Sequence, residues 1–481
     1  MMNNVFNTIL KSKIPGERSL ILGEDSSNYY NLYKSIELIS EVLIRRKCKR
    51  YDRVGICLEH GLNYIASLFA TRRTDSIGVL YSPDWTISEF SRIQAHSQSR
   101  FIISTELDEE KHKYIHKEKI KDLNLNIYEF EIEFEKYSID PSSAIIIYTS
   151  GTTGEPKGVN LSQSGIVENV NAVVNYLELK ANDSTPIFTP TCYAYSLSQV
   201  LTHTLVGASL FPIKNKLMFP TEILNAISNY NLTGISGTPA SFKILLSGKK
   251  LSPYNSVRYS MTGGQPLTKK ICERINLIFP KSKIINMYGC TENSPRISYF
   301  YVENTYKEYD KNHYFPVGEI VSGSNVKIST VGEILISGKS LAIGYWRDDK
   351  TTSERFIDGW FHTKDLGYID KSGYLFISGR MDAMINVGNE KVSPESVEKF
   401  INQIEGVEES IVYGVQNIFL GEVVHADVVR IEGYNLKVKN ILESCRKSLS
   451  SYKIPRLIRF VDNIPKTQYG KIDRKKNIKE S

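Results

Sequence analysis

Paired cysteines are missing from this chain. Its six cysteines, Cys48, Cys57, Cys192, Cys272, Cys290 and Cys445, are scattered with no C-x-x-C spacing and no histidine at ligand spacing. This excludes a disulfide framework and a sequence-encoded zinc site. No apolar run reaches the length that crosses a bilayer, and the opening Met1-Met-Asn-Asn-Val-Phe-Asn lacks the basic-then-apolar pattern of a secretory leader. A cytoplasmic protein with no integral membrane segment is expected. Basic stripes interleaved with aromatics are also missing, and a net charge of +7 is modest for 481 residues, so no nucleic-acid partner is expected. Internal repeats, low-complexity segments and a Ser/His/Asp constellation are absent too.

What is present has the composition of a globular protein, 41% hydrophobic and 23% charged. The length exceeds one ordinary core, so at least two domains are expected. Helical and strand-like patterns alternate from the start, with Leu32 to Arg46 as an amphipathic helix and Arg53 to Leu58 as a strand. This alternation predicts α/β layers. Near Gly332 the pattern changes to short glycine-punctuated strands, at Glu333 to Ser337, Gly359 to Thr363 and Gly373 to Ser378, which reads as a β-rich subdomain. Beyond it, Ser393-Pro-Glu opens a helix with proline in its first turn. Strands are predicted at Ser410 to Tyr413 and Val423 to Val429, and a helix at Leu436 to Leu449. These make a small α+β domain.

The stretch Tyr148-Thr-Ser-Gly-Thr-Thr-Gly-Glu-Pro-Lys-Gly158 follows the apolar strand Ala144-Ile-Ile-Ile-Tyr148. Gly151, Gly154 and Gly158 permit unusual backbone angles, Thr149, Ser150, Thr152 and Thr153 supply hydroxyl donors, and Lys157 supplies a mobile positive charge. Such stretches also serve as solvated turns. Here the abutting strand and Pro156 favour a shaped phosphate grip. The spacing differs from G-x-x-x-x-G-K-[ST], since two residues separate Gly151 from Gly154 and Gly158 follows the lysine.

This Y-T-S-G-T-T-G-x-P-K-G-V segment resembles the signature loop of the adenylate-forming superfamily, which includes acyl- and aryl-CoA synthetases, adenylation domains of peptide synthetases and luciferases. The resemblance extends along nearly the whole chain through further motifs in the same order. It implies a large domain over 1–379, a hinge at 380–382 and a small mobile domain over 383–481. In Tyr288-Gly-Cys-Thr-Glu292 it implies that Tyr288 lies against adenine, Thr291 contacts the α-phosphate and Glu292 holds Mg²⁺. In Gly359-Trp-Phe-His-Thr-Lys-Asp365 it gives Asp365 the ribose hydroxyls, although Lys364 stands where glycine is usual. Arg380 is a further ribose or phosphate contact, and Asp382 takes the hinge position. Gly388 falls where a pantetheine arm would pass close to the backbone. Lys471, in Pro465-Lys-Thr-Gln-Tyr-Gly-Lys-Ile-Asp-Arg474, matches the lysine that bridges carboxylate, α-phosphate and ribose during adenylation.

The implied reaction consumes ATP, Mg²⁺ and a small-molecule carboxylic acid, and transfers the acyl group to a thiol. CoA is the expected acceptor. Phosphopantetheine on an acyl carrier protein is the alternative, and a catalytically silent nucleotide- or acyl-binding regulator is another. Tyr193, Ala194, Gly237, Gly263 and Gly264 are expected to line the acyl pocket. Amino-acid-activating members place an aspartate where Ala194 stands. A buried ammonium without a partner is costly, so an ordinary α-amino acid is disfavoured.

Overall fold

The expected helix near Leu32 runs from Tyr29 to Arg45, with the Asn28 side chain accepting from the Asn31 N–H at its start. Leu32, Ile36, Ile39 and Leu43 recur at helical spacing and are all fully buried, which fixes the face that meets the core. The computed structural model describes residues 14–132, 137–150, 156–213, 220–248, 252–302, 315–381, 384–387, 390–417 and 420–465. These fall into two compact units. One comprises the described residues within Met1–Tyr306, Gly318–Val326 and Ile336–Phe361, the other those within Lys307–Val317, Lys327–Leu335 and His362–Ser481.

The first unit is built on an eight-stranded sheet. Its parallel centre consists of Ser143–Ser150, Ile77–Leu80, Arg53–Cys57 and Ser99–Ser104, in that order. Every residue of Arg53–Cys57 and Ile77–Leu80 is buried, as parallel strands covered on both faces must be. Antiparallel strands flank the centre on both sides: Leu125–Glu129 and His116–Ile120 on one, Pro156–Ser162 and Gly344–Tyr345 on the other. A second sheet runs Gly234–Gly237, Tyr259–Gly263, Lys283–Gly289, Arg296–Val302 and Glu319–Ile320; its first three strands are parallel and the rest antiparallel. A four-stranded sheet contains Ser184–Ile187, Ser209–Pro212, Ser19–Ile21 and Ser27–Asn28.

In the second unit, Val407–Asn417 and Gly421–Arg430 form a long antiparallel pair, joined by Ile385–Val387, Glu390–Val392 and the parallel strand Leu457–Phe460. Helix Pro394–Ile401 begins as expected, with Ser393 capping it and proline in its first turn. Val397, Ile401, Val412, Val428 and Ile441 share the small core there. The chain is mixed α/β, with a large amino-terminal and a small carboxy-terminal domain. No helix among the described residues is long and apolar enough to cross a membrane.

Candidate active site

The apolar strand before the glycine-rich stretch is half of a hairpin. Ser143–Ser150 pairs antiparallel with Pro156–Ser162 in a register that sets Thr149 opposite Lys157 and Tyr148 opposite Gly158. The Thr149 hydroxyl donates to the Lys157 carbonyl at 3.5 Å. Gly151, Thr152, Thr153 and Gly154 lie outside the described residues, and Ser150 is described only as the strand's last backbone position. Gly158 corrects one expectation. It sits in regular strand, and what it needs is space: a Cβ there would lie 3.1 Å from Ile146 and Tyr148 atoms and 3.2 Å from the Trp346 Cβ.

Tyr288 is half-buried near the end of Lys283–Gly289, and the chain then makes a short 3₁₀ turn over Thr291–Asn293. Glu292 is fixed twice. Its carbonyl accepts from the Ala342 N–H at 2.8 Å, and its Oε1 accepts from the Tyr345 hydroxyl at 2.7 Å. Tyr345 belongs to the strand that pairs with the hairpin, opposite Val159. The Lys157 Nζ lies 5.5 Å from the centroid of the same phenol ring. One tyrosine therefore joins the hairpin's lysine to the carboxylate of the Tyr-Gly-x-Thr-Glu turn. Burial, reinforced by the Glu292 charge, raises the Tyr345 pKa, so it stays a neutral donor. The second oxygen of Glu292 takes no hydrogen bond from a described residue. A hard oxygen held by an orienting donor fits a magnesium ion.

In the second unit, Asp365 and Arg380 face each other across the antiparallel strands Trp360–Ile369 and Leu375–Arg380. Their side chains pair at 2.8 Å, with Asp365 buried and Arg380 exposed. Lys364 adopts a left-handed backbone, φ 60°, and its N–H donates to Glu333 Oε1 at 2.9 Å. That backbone explains why glycine suits the position. Asp382, Gly388 and Lys471 lie outside the described residues.

The expected acyl-pocket residues fall at neighbouring ends of elements in the first unit. Tyr193 caps the helix Ala194–Val206 and is half-buried, while Ala194 is buried. Gly237 and Gly263 end adjacent parallel strands, with Gly237 opposite Thr262 and Gly263 opposite Met287. A Cβ on Gly263 would come within 2.7 Å of the Met287 carbonyl, and Gly264 turns with φ 81°. Sequence reasoning missed Tyr345. Its signal was Gly344-Tyr345-Trp346 after an apolar strand, which carries meaning only once strand pairing brings it to Lys157.

Residues 12–346 match the model of the AMP-binding enzyme family, and residues 396–471 match that of the AMP-binding enzyme C-terminal domain. A 2-succinylbenzoate–CoA ligase of Listeria innocua is 28% identical over 476 residues, covering 96% of each chain. An oxalate–CoA ligase of Arabidopsis thaliana is 26% identical over 490 residues, covering 96% of this chain and 95% of the other. The fold is like that of ATP-bound MatB from Rhodopseudomonas palustris, with a TM-score of 0.84 at 22% identity over 100% of this chain and 99% of that one. Motifs, fold and family model agree over most of the length, and the chain belongs to the AMP-binding enzyme family, the adenylate-forming group its signature loop resembles.

Proposed function

We propose that this protein is an AMP-forming acid–thiol ligase of the acyl-CoA synthetase type. A carboxylate oxygen of the acid attacks the α-phosphorus of ATP, the bond to the β-phosphate oxygen breaks, and pyrophosphate leaves. The thiol sulfur of CoA then attacks the acyl carbon of the acyl-adenylate, and AMP leaves with the bonding pair. The acid is its own nucleophile in the first step, so positioning and charge stabilisation carry the rate. The observation that carries this reading is the convergence of Lys157 and Glu292 on Tyr345. CoA-ligase names on relatives of matching length support CoA as the acceptor.

In this reading Lys157 and the hydroxyls of Thr149, Ser150, Thr152 and Thr153 take the β- and γ-phosphates, with Gly151 and Gly154 giving their backbone room. Thr291 takes the α-phosphate, Tyr288 the adenine, and Asp365 with Arg380 the ribose. Glu292 would hold Mg²⁺, which when bound neutralises phosphate charge. Lys471 arrives on the small domain to bridge carboxylate and α-phosphate, Asp382 is the pivot, and Gly388 passes the pantetheine arm. An ATP–pyrophosphate exchange screen over aliphatic, aryl, hydroxy and amino acids tests this, followed by thioester assays with free CoA and with holo carrier proteins. Exchange with at least one acid and thioester formation on free CoA are expected. Thioester on carrier protein alone would reassign the acceptor, and no exchange with any acid would refute the ligase reading.

A further inference from the structure

Arg296 begins the strand Arg296–Val302 and is 2% exposed. Its backbone is clamped: the N–H donates to Asn169 Oδ1 at 3.1 Å, and the carbonyl accepts from Asn169 Nδ2 at 2.8 Å and Asn293 Nδ2 at 2.7 Å. The guanidinium is poorly satisfied by comparison. Its Nε and Nη2 have no hydrogen-bond partner, and among the described residues no carboxylate pairs with it. Its Cζ lies 4.4 Å from the Tyr195 ring centroid, a contact worth about 0.5–2 kcal/mol, which offsets only part of the cost of a buried cation.

The neighbouring phenols do not supply the missing charge. Burial raises the pKa values of Tyr176 and Tyr195, so both stay neutral beside the guanidinium. The Tyr195 and Ser236 hydroxyls are buried beside each other, and neither has a hydrogen-bond partner outside this pair among the described residues. These groups stand among the residues assigned to the acyl pocket. Tyr195 follows Ala194 in the helix's first turn, and Ser236 pairs in register with Met261, which lies on the same strand face as Gly263. A rigidly held guanidinium with two hydroxyls beside it has the donor chemistry that suits a carboxylate.

We infer that the acid activated here is a dicarboxylic acid, one carboxylate reacting with ATP while the other, unreacted, pairs with Arg296 and accepts from Tyr195 and Ser236. This rests on the ligase reading and names its substrate class. It also accounts for Ala194, because a pocket holding an unpaired cation repels the ammonium of an amino acid.

The test compares kcat/KM for pyrophosphate exchange with succinate, glutarate and phthalate against their monomethyl esters, which keep the shape and lose one charge. In the wild type the best diacid should exceed its monoester by ~100-fold or more, as for a buried charge pair that loses one member. Arg296→Gln should reduce that ratio below ~10, and Arg296→Lys should restore part of it. A wild-type ratio near one overturns the inference irrespective of the variants, and so does a ratio that Arg296→Gln leaves unchanged. Exchange with monocarboxylic acids alone sinks the dicarboxylate inference and leaves the ligase reading standing. Exchange with no acid at all sinks both.

Discussion

Tyr345 holds a carboxylate at its hydroxyl and a lysine beside its ring, so a single methodical change separates the two contacts. Tyr345→Phe keeps the ring near Lys157 and removes the donor to Glu292. The Mg²⁺ concentration giving half-maximal pyrophosphate exchange should rise ~10-fold or more, the usual effect of losing a partner that orients a metal ligand. An unchanged Mg²⁺ titration would mean that Glu292 needs no such orientation. Lys364 offers a second test at this scale. Its left-handed backbone is strained for lysine, so Lys364→Gly should stabilise the protein by about 0.5–1 kcal/mol in urea unfolding. A loss of stability would show that the lysine side chain has a structural role of its own. Glu292 and Asp365 could be singled out in the sequence as candidates, with the roles proposed above, because each sits inside a compact motif. Tyr345 and Arg296 could not, because their meaning lies in what three-dimensional packing brings beside them.

Elements were legible where hydrophobic period spoke clearly. Ala144-Ile-Ile-Ile-Tyr148 reads as a strand and is one, but its return partner Pro156–Ser162 was unread. Proline, lysine, glycine and asparagine are poor strand formers, and only pairing on both sides makes them one. The helix Ala194–Val206 carries a consequence of burial that can be measured. His203 is 1% exposed, its Nδ1 is 2.8 Å from the Gln199 carbonyl, and its Nε2 is 2.8 Å from the Tyr259 hydroxyl. The carbonyl can only accept, so Nδ1 carries the proton and Nε2 accepts from Tyr259. Burial pushes the pKa of this imidazole down to about 4. The unfolded chain, with an imidazole near its ordinary value of ~6.5, therefore binds the proton first as pH falls. Stability from this group is complete above pH ~6.5 and is lost as pH drops towards ~4, by roughly 3 kcal/mol. Urea unfolding at pH 7 and pH 4.5 should show a smaller acid-induced loss in His203→Gln than in the wild type. Equal losses would place the acid sensitivity elsewhere.

At the scale of the whole molecule, the sequence foretold a large α/β domain followed by a small one, because the change in strand and glycine pattern after Gly332 is visible without coordinates. The proposed reaction divides its labour between them. Lys471→Ala should suppress pyrophosphate exchange by ~100-fold or more, as expected for loss of a charge acting on the transition state. Thioester formation from supplied acyl-adenylate should fall far less. Equal loss of both steps would remove Lys471 from the adenylation role.

The pairing of Gly344–Tyr345 with Pro156–Ser162 also sets an order of events during biosynthesis. At about 5–20 residues per second, a ribosome needs roughly 10–40 s to travel from one strand to the other. Throughout that interval the nascent hairpin presents an uncovered flank of backbone donors and acceptors, the kind of surface that recruits foreign strands. The short strand arriving late pairs with Val159 and Asn160 in the middle of that flank and sets Tyr345 beside Lys157 in the same step. Covering the middle of that flank and completing the proposed nucleotide grip thus depend on one pairing.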